Sequence, residues 1–260
     1  MEFKQVVGNR RTIRFFKPWR PVEKEKIQAI LEAANRSSRS MNADYVKAIV
    51  VQRDELSPEL RDSLRNPTTT LSLDLAPVYI MWFINLKYTE GTKDRLNELV
   101  DHDIQVASQG WSHAYVNEGI QRTVIDKIEG DDFRLNWMGA IESGQAIAQA
   151  LLAAFDEGLG AALHNFADAK IREPLGVPEH WRHSWIMMLG YPLEEPEAGG
   201  QRPRRPLSDN FFWGDARTPF EEDPDVTQHL KDEGLIQTPS PLPWRRAEIK
   251  AINRMLGLPD

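Results

Sequence analysis

Apolar residues at Ile27, Ile30, Leu31 and Ala34 recur at helical spacing and predict a helix over 21–34, with Pro21 suited to its start and Glu23 and Glu25 to its first turn. A polar run over 35–42 follows, and then the period changes: Ala48-Ile49-Val50-Val51 reads as a short buried strand. Ser57-Pro58 opens a second helix, with Ser57 as its cap. Residues 77–84, rich in β-branched and aromatic side chains, predict a second strand. Residues 94–114 are helical but irregular. The clearest helix spans 136–157, apolar on nearly every side and therefore central and buried, and Gly158 of Gly158-Leu159-Gly160 terminates it. A short helix over 167–175, a third strand over 185–189 closed by Gly190-Tyr191-Pro192, and a Pro-, Gly- and Arg-rich loop over 196–206 complete the patterned region. Beyond residue 214, prolines and acids dominate until a short amphipathic helix over 245–256. That stretch reads as an arm wrapping the body or a partner subunit. With few strands among many helices, the class is α+β (mixed α/β), with 1–213 as one domain and 214–260 as a C-terminal extension.

Composition narrows the function classes. The 260 residues are 41% hydrophobic and 27% charged, ordinary for a globular protein with a real core. The absence of cysteine excludes disulfides, thiolate metal sites, iron–sulfur ligation and cysteine nucleophiles, and it fits a reducing, cytoplasmic location. Met1-Glu2-Phe3-Lys4-Gln5 has no apolar signal-peptide character, and the longest apolar run, 76–84, is too short to span a bilayer, so no membrane role is expected. A net charge of −7 argues against nucleic-acid partners. Eight tryptophans offer stacking surfaces for a flat ligand.

Dinucleotide, Walker A and G-x-S-x-G patterns are all missing. His102 and Asp103 are adjacent and diverge on a helix, while His180, His183 and Glu179 read as a helix end or turn, so no metal site is expected. The chemistry concentrates in Arg10-Arg11-Thr12-Ile13-Arg14, a positive cluster in an acidic chain. Arginine forks and a threonine hydroxyl suit phosphate or carboxylate; taken alone, the cluster also reads as a solvated basic turn. A second cluster, Arg202-Pro203-Arg204-Arg205-Pro206, either converges with the first on one phosphate or is a solvated loop.

The order of these pieces resembles the FMN-dependent nitroreductase family. The resemblance spans roughly residues 3 to 213. It rests on Arg10-Arg11-Thr12-Ile13-Arg14 with Phe15-Phe16, the run from Ala33-Ala34 to Asn42, Gly158-Leu159-Gly160, Asn165-Phe166 with Leu175-Gly176-Val177-Pro178, Gly190-Tyr191-Pro192, and Arg202 to Leu207. It implies a nitroreductase-like fold, a central, mainly antiparallel sheet flanked by helices, in a homodimer with FMN at the interface. By the same resemblance, Arg10, Thr12, Arg202 and Arg204 hold the FMN phosphate and nearby ribityl oxygens, and Arg14 lies at the N1–C2=O edge of the ring. Asn42 with Ser38, Arg39 and Ser40 contacts the ring or ribityl chain, and backbone N–H groups near His164 and Asn165 donate toward flavin N5. Arg11 and Arg205 complete the cofactor set, Arg11 being open also to a surface or interface role. No side chain need be catalytic, because the flavin carries the chemistry. The chain departs from the family in three respects: Ser38-Arg39 replaces its Pro-Ser, Asp44-Tyr45-Val46 replaces its Gln-Pro-Trp, and residues 86–137 and the tail after Trp213 match nothing in the pattern. Within residues 86–137, Trp111, Tyr115 and Trp137 are candidates for a substrate-pocket wall or for core packing. The implied activity is transfer of reducing equivalents from NADH or NADPH through FMN to a small-molecule acceptor, a nitroaromatic or quinone. Two alternatives stay open: a specialised flavoenzyme of this fold, such as a reductive dehalogenase or secondary-metabolism dehydrogenase, and a non-catalytic flavin-binding protein.

Overall fold

A computed structural model describes residues 2–259. The chain opens with α1 (Phe3–Asn9), an extended strap, and α2 (Lys24–Asn35), then β1 (Val46–Gln52), α3 (Pro58–Ser63), α4 (Thr70–Leu75) and β2 (Val78–Asn85). After α5 (Thr92–Asp101), a π-helical stretch over Tyr115–Ile125 runs into α6 (Asp126–Glu129) and the long α7 (Asp132–Asp156). Next come β3 (Gly160–His164), β4 (Trp181–Gly190), α8 (Pro224–Asp232) and α9 (Arg245–Leu256). The strands form one antiparallel sheet in the order β1-β2-β4-β3.

Every residue of β2 is buried because both faces of the sheet are covered. Its side chains alternate between two cores, as strand geometry requires. Val78, Ile80 and Trp82 pack with Ile27 and Ile30 of α2 and Ala146, Ile147 and Ala150 of α7. Tyr79, Met81 and Phe83 pack on the other face with Ile13, Phe15, Phe16 and Phe166. Gly139 lets α7 approach the sheet, since a Cβ there would sit 2.4 Å from Ile84 Cγ2. The last helix joins the same core: Ile252 is buried in it, with Ile249, Leu256 and Leu258 packed against it. Residues ahead of α9 are stitched to the body by backbone bonds from Gln201 N to Thr238 O (3.0 Å), Ser240 N to Gln201 O (2.8 Å) and Leu242 N to Gly199 O (2.8 Å).

Several elements differ from the pattern-based expectation. The first long helix begins at Lys24, capped at Glu23, so Pro21 lies outside it. The expected helix over 167–175 is a series of turns. Pro174 removes a backbone donor there, and Arg172 bonds the carbonyls of Pro178 (2.7 Å) and Trp181 (3.0 Å), organising the turns instead. The irregular 94–114 stretch breaks after Asp101, and Asp103 (φ 55°) and Gly110 (φ 85°) are left-handed. Gly158 (φ 75°) does end α7, but Gly160 at once begins β3, a strand the glycine cluster concealed. The stretch ahead of residue 245, expected to be irregular, contains α8, which Asp223 caps by accepting from the N–H groups of Asp225 and Val226.

Candidate cofactor site

Residues 10–14 lie along the outer edge of β3. Thr12 pairs with Ala161 in parallel, and Ile13 N donates to Ala161 O at 3.0 Å. The extended strap alternates: Arg11 (8% exposed) and Ile13 (3%) turn inward, while Arg10, Thr12 and Arg14 are half-buried on the other side. Gly160 makes the approach possible, because a Cβ there would lie 2.8 Å from Ile13 Cβ. Two separate sequence signals, the basic cluster and the glycine pair, thus meet in one structure.

The strap is pinned by Glu194, a residue with no sequence signal beyond its place after Gly190-Tyr191-Pro192. Its carboxylate is 3% exposed and accepts from the N–H groups of Arg14 (2.6 Å) and Phe15 (3.0 Å). The other carboxylate oxygen accepts from Arg245 of α9, which also bonds Glu248 at 2.7 Å. A buried carboxylate held by a guanidinium and two backbone donors is fully compensated.

Electrostatics on the outward side are not compensated. Burial and then the charge of Arg204 lower the Arg10 pKa. Burial and then Arg202 lower that of Arg14, with Glu194 partly opposing and Arg245 adding to the effect. Among the described residues, none of Arg10, Arg14, Arg202 and Arg204 makes an ion pair with an acid. Like-charged guanidiniums brought together with little counter-charge suit an anion. His164, at the end of β3, carries a buried Nε2 without a partner. Its pKa sits below the usual imidazole value, through burial first and Arg14 second, so the ring is neutral at neutral pH.

The remaining candidates fall elsewhere. The Arg11 guanidinium donates to Gly8 O and to Gln237 Oε1 (2.7 Å), on the opposite side of the strap from Arg10; it is a buried group and not a surface charge. Arg205 is solvated, 3.9 Å from Asp209. Arg39 bonds Asn35 through its carbonyl (3.1 Å) and side chain (3.0 Å), and Ser38 is exposed. Ser40 N donates to the buried Glu142 of α7 at 3.3 Å. Met41 (φ 56°) and Asn42 (φ 48°) are both left-handed, a costly arrangement for non-glycine residues that Arg95 Nε supports through Asn42 O at 3.0 Å. Asn165 caps its own loop, accepting from Phe166 N at 2.9 Å. Trp111 packs edge-on to Tyr115 (5.6 Å) beside a core cluster, whereas Tyr115 (42%) and Trp137 (53%) are exposed. Asp44 is ion-paired with Lys47 and lies 3.9 Å from Arg39, so its charge is met locally. Among the described residues no cluster of three or more His, Cys, Asp or Glu could hold a metal, and no helix is long and apolar enough to cross a membrane.

Within the chain the two candidate groups lie at diagonal corners of the sheet. Ala161 pairs with Leu189 at one end of β4, whereas Val46, just after the Ser38–Asn42 segment, pairs with Ile84, which pairs with Arg182 at the other end. Strand spacings make that separation roughly 25–30 Å.

A mixed α+β fold with an antiparallel sheet and a basic strap beside its edge strand defines a class, and the comparisons supply the family. The Nitroreductase family model matches residues 7–191, and the chain belongs to the nitroreductase family. It is 28% identical over 217 residues to an NADH dehydrogenase of Thermus thermophilus, covering 82% of this chain and 96% of that one. It is also 28% identical over 190 residues to an NADPH-flavin oxidoreductase of Vibrio harveyi, covering 72% of this chain and 63% of that enzyme. Among solved structures, an Exiguobacterium sibiricum protein described as a nitroreductase in complex with FMN superposes with a TM-score of 0.66 at 19% identity, over 82% of this chain and 97% of that one.

Proposed function

We propose that this chain is an FMN-dependent oxidoreductase that takes reducing equivalents from NADH or NADPH and passes them to a flat, electron-poor small molecule, a nitroaromatic or quinone. The observation that carries the reading is the proximity of Arg10 to Arg204 and of Arg14 to Arg202, with none of the four in an ion pair among the described residues and only Glu194 acting in part against the charge of Arg14. That donor set suits the phosphate end of FMN. Arg10, Arg202 and Arg204, with the Thr12 hydroxyl, would hold the phosphate, each charge-assisted bond contributing about 1.5–3 kcal/mol. Arg14 would hold positive charge beside the ring, favouring negative charge that develops there. His164, beside Arg14, is neutral and adds no competing charge. When bound, FMN supplies a ring that accepts and releases a hydride, so no side-chain acid or base is needed for that transfer. The names of the two relatives support the same donors and cofactor class.

A homodimer fits the placement of the site. With Arg10–Arg14 and Ser38–Asn42 at diagonal corners of one sheet, a cofactor between two chains could be reached by one group from each. On α7, Phe133, Trp137 and Ile141 recur every four residues and are 73%, 53% and 43% exposed, an apolar stripe suited to a partner. Tyr115 and Trp137 would offer the aromatic surface against which a flat acceptor stacks.

The test is direct. The purified protein should be yellow, and FMN titration should give saturable binding. An Arg10→Ala, Arg204→Ala double variant should bind FMN roughly a hundredfold or more weakly, while riboflavin, which lacks the phosphate, should lose far less. Unchanged FMN affinity would refute the phosphate assignment. NADPH or NADH oxidation assayed with a nitrobenzene and a benzoquinone tests the acceptor, and no turnover with either removes that acceptor class.

A further inference from the structure

We propose that a second cavity, between the end of α1 and the segment following α8, binds a small organic oxyanion, a carboxylate or phosphomonoester with an apolar body. The cavity is about 590 Å³. Arg11 lines it, on the face of the strap opposite Arg10, Thr12 and Arg14. Its far wall, Lys231 to Leu242, lies beyond the region matched by the family.

Arg11 is 8% exposed, and its terminal nitrogens are bound to Gly8 O, Arg10 O and Gln237 Oε1. Its Nε–H is buried without any partner. A buried donor left unpaired costs free energy, and the terminal nitrogen bound to Gln237 uses only one of its two N–H donors there, leaving the other for an oxyanion in the cavity. Lys231 lines the same space and pairs with no acid among the described residues. Against these two cations stands one lining acid among the described residues, Glu197. Glu197 acts on Arg11, and with Lys231 the lining keeps a net positive charge. Ile236 and Leu242 give the cavity an apolar side, where a ligand's body would lie.

The wall is built before any ligand arrives. Gln237 is fixed at three points: its N–H donates to Gln201 Oε1 (2.9 Å) and its amide to Asn9 Oδ1 (2.7 Å) and Gly234 O (2.9 Å). Gly8 has no room for a side chain, since a Cβ would lie 1.9 Å from Gly234 O. The guanidinium of Arg11 is thus held in one orientation, the preorganisation a binding site needs.

Isothermal titration of the FMN-saturated full chain with phenyl phosphate and with benzoate tests the site, with inorganic phosphate as the headgroup alone. Saturable binding of at least one organic probe is expected, with inorganic phosphate weaker, and the preferred probe distinguishes a phosphate from a carboxylate ligand. Lys231→Glu, a change at an exposed position that should leave folding intact, is expected to weaken that binding at least tenfold, as is Arg11→Gln. Failure of both organic probes to saturate, or equal affinity in Lys231→Glu, overturns the proposal.

Discussion

At the scale of single residues, position and surroundings decide roles that residue type leaves open. Arg11 and Arg10 are neighbours with the same side chain, yet the alternation of an extended strap sends one into the body and the other toward Arg204. Asp44 is a charge where the family's pattern has an amide, and Lys47 and Arg39 absorb it on the spot. His164 carries a consequence that can be measured. Its folded pKa is depressed, chiefly by burial, while the unfolded value is about 6.5. The unfolded chain therefore binds the proton first as pH falls, so stability is lost progressively below about pH 6.5 until the folded pKa is reached. The wild-type melting temperature should drop more between about pH 7.5 and pH 5.5 than that of His164→Gln. Equal drops would assign the pH sensitivity to other groups.

Among elements, the contact of the strap with β3 positions the whole candidate site. It depends on Gly160, where a Cβ would press 2.8 Å from Ile13, itself 3% exposed and unable to retreat. Gly160→Ala should cost about 1–3 kcal/mol, read as a lower urea midpoint, and weaken FMN binding by displacing Arg14. A variant with wild-type midpoint and affinity would show that the strap can shift freely. The basic cluster, the strong α7 pattern and the β2 run were all legible, because each is a local signal: charge, helical period, β-branched content. The strand β3 was not, because five residues with two glycines at its threshold carry no period of their own. Glu194 was not, because a lone acid after a turn gains meaning only from Arg245, half a hundred residues away, and from the backbone of Arg14.

For the molecule as a whole, the exposed stripe of Phe133, Trp137 and Ile141 on α7 sets an expectation about assembly. Trp137→Glu should convert a homodimer to monomers in sedimentation velocity and lower FMN affinity with it, if the cofactor lies between chains. A wild-type protein that sediments as a monomer would sink the two-chain site. The C-terminal residues show the same dependence on the whole: their composition suggested an arm, and the structure lays α9 on the chain's own core through Ile252 and ties it to the strap through Arg245 and Glu194. The sequence by itself determined what is carried by neighbouring residues: the helical and strand periods, the caps, the positive cluster in an acidic chain and the ordered motifs of a flavin-binding family. Tertiary structure alone decided which arginines face one another and which is buried, that a single carboxylate holds the strap, and that the candidate groups sit at opposite corners of a sheet. Those are contacts between residues up to some two hundred positions apart, and no local period or spacing encodes them; they exist only once the hydrophobic faces have closed on each other.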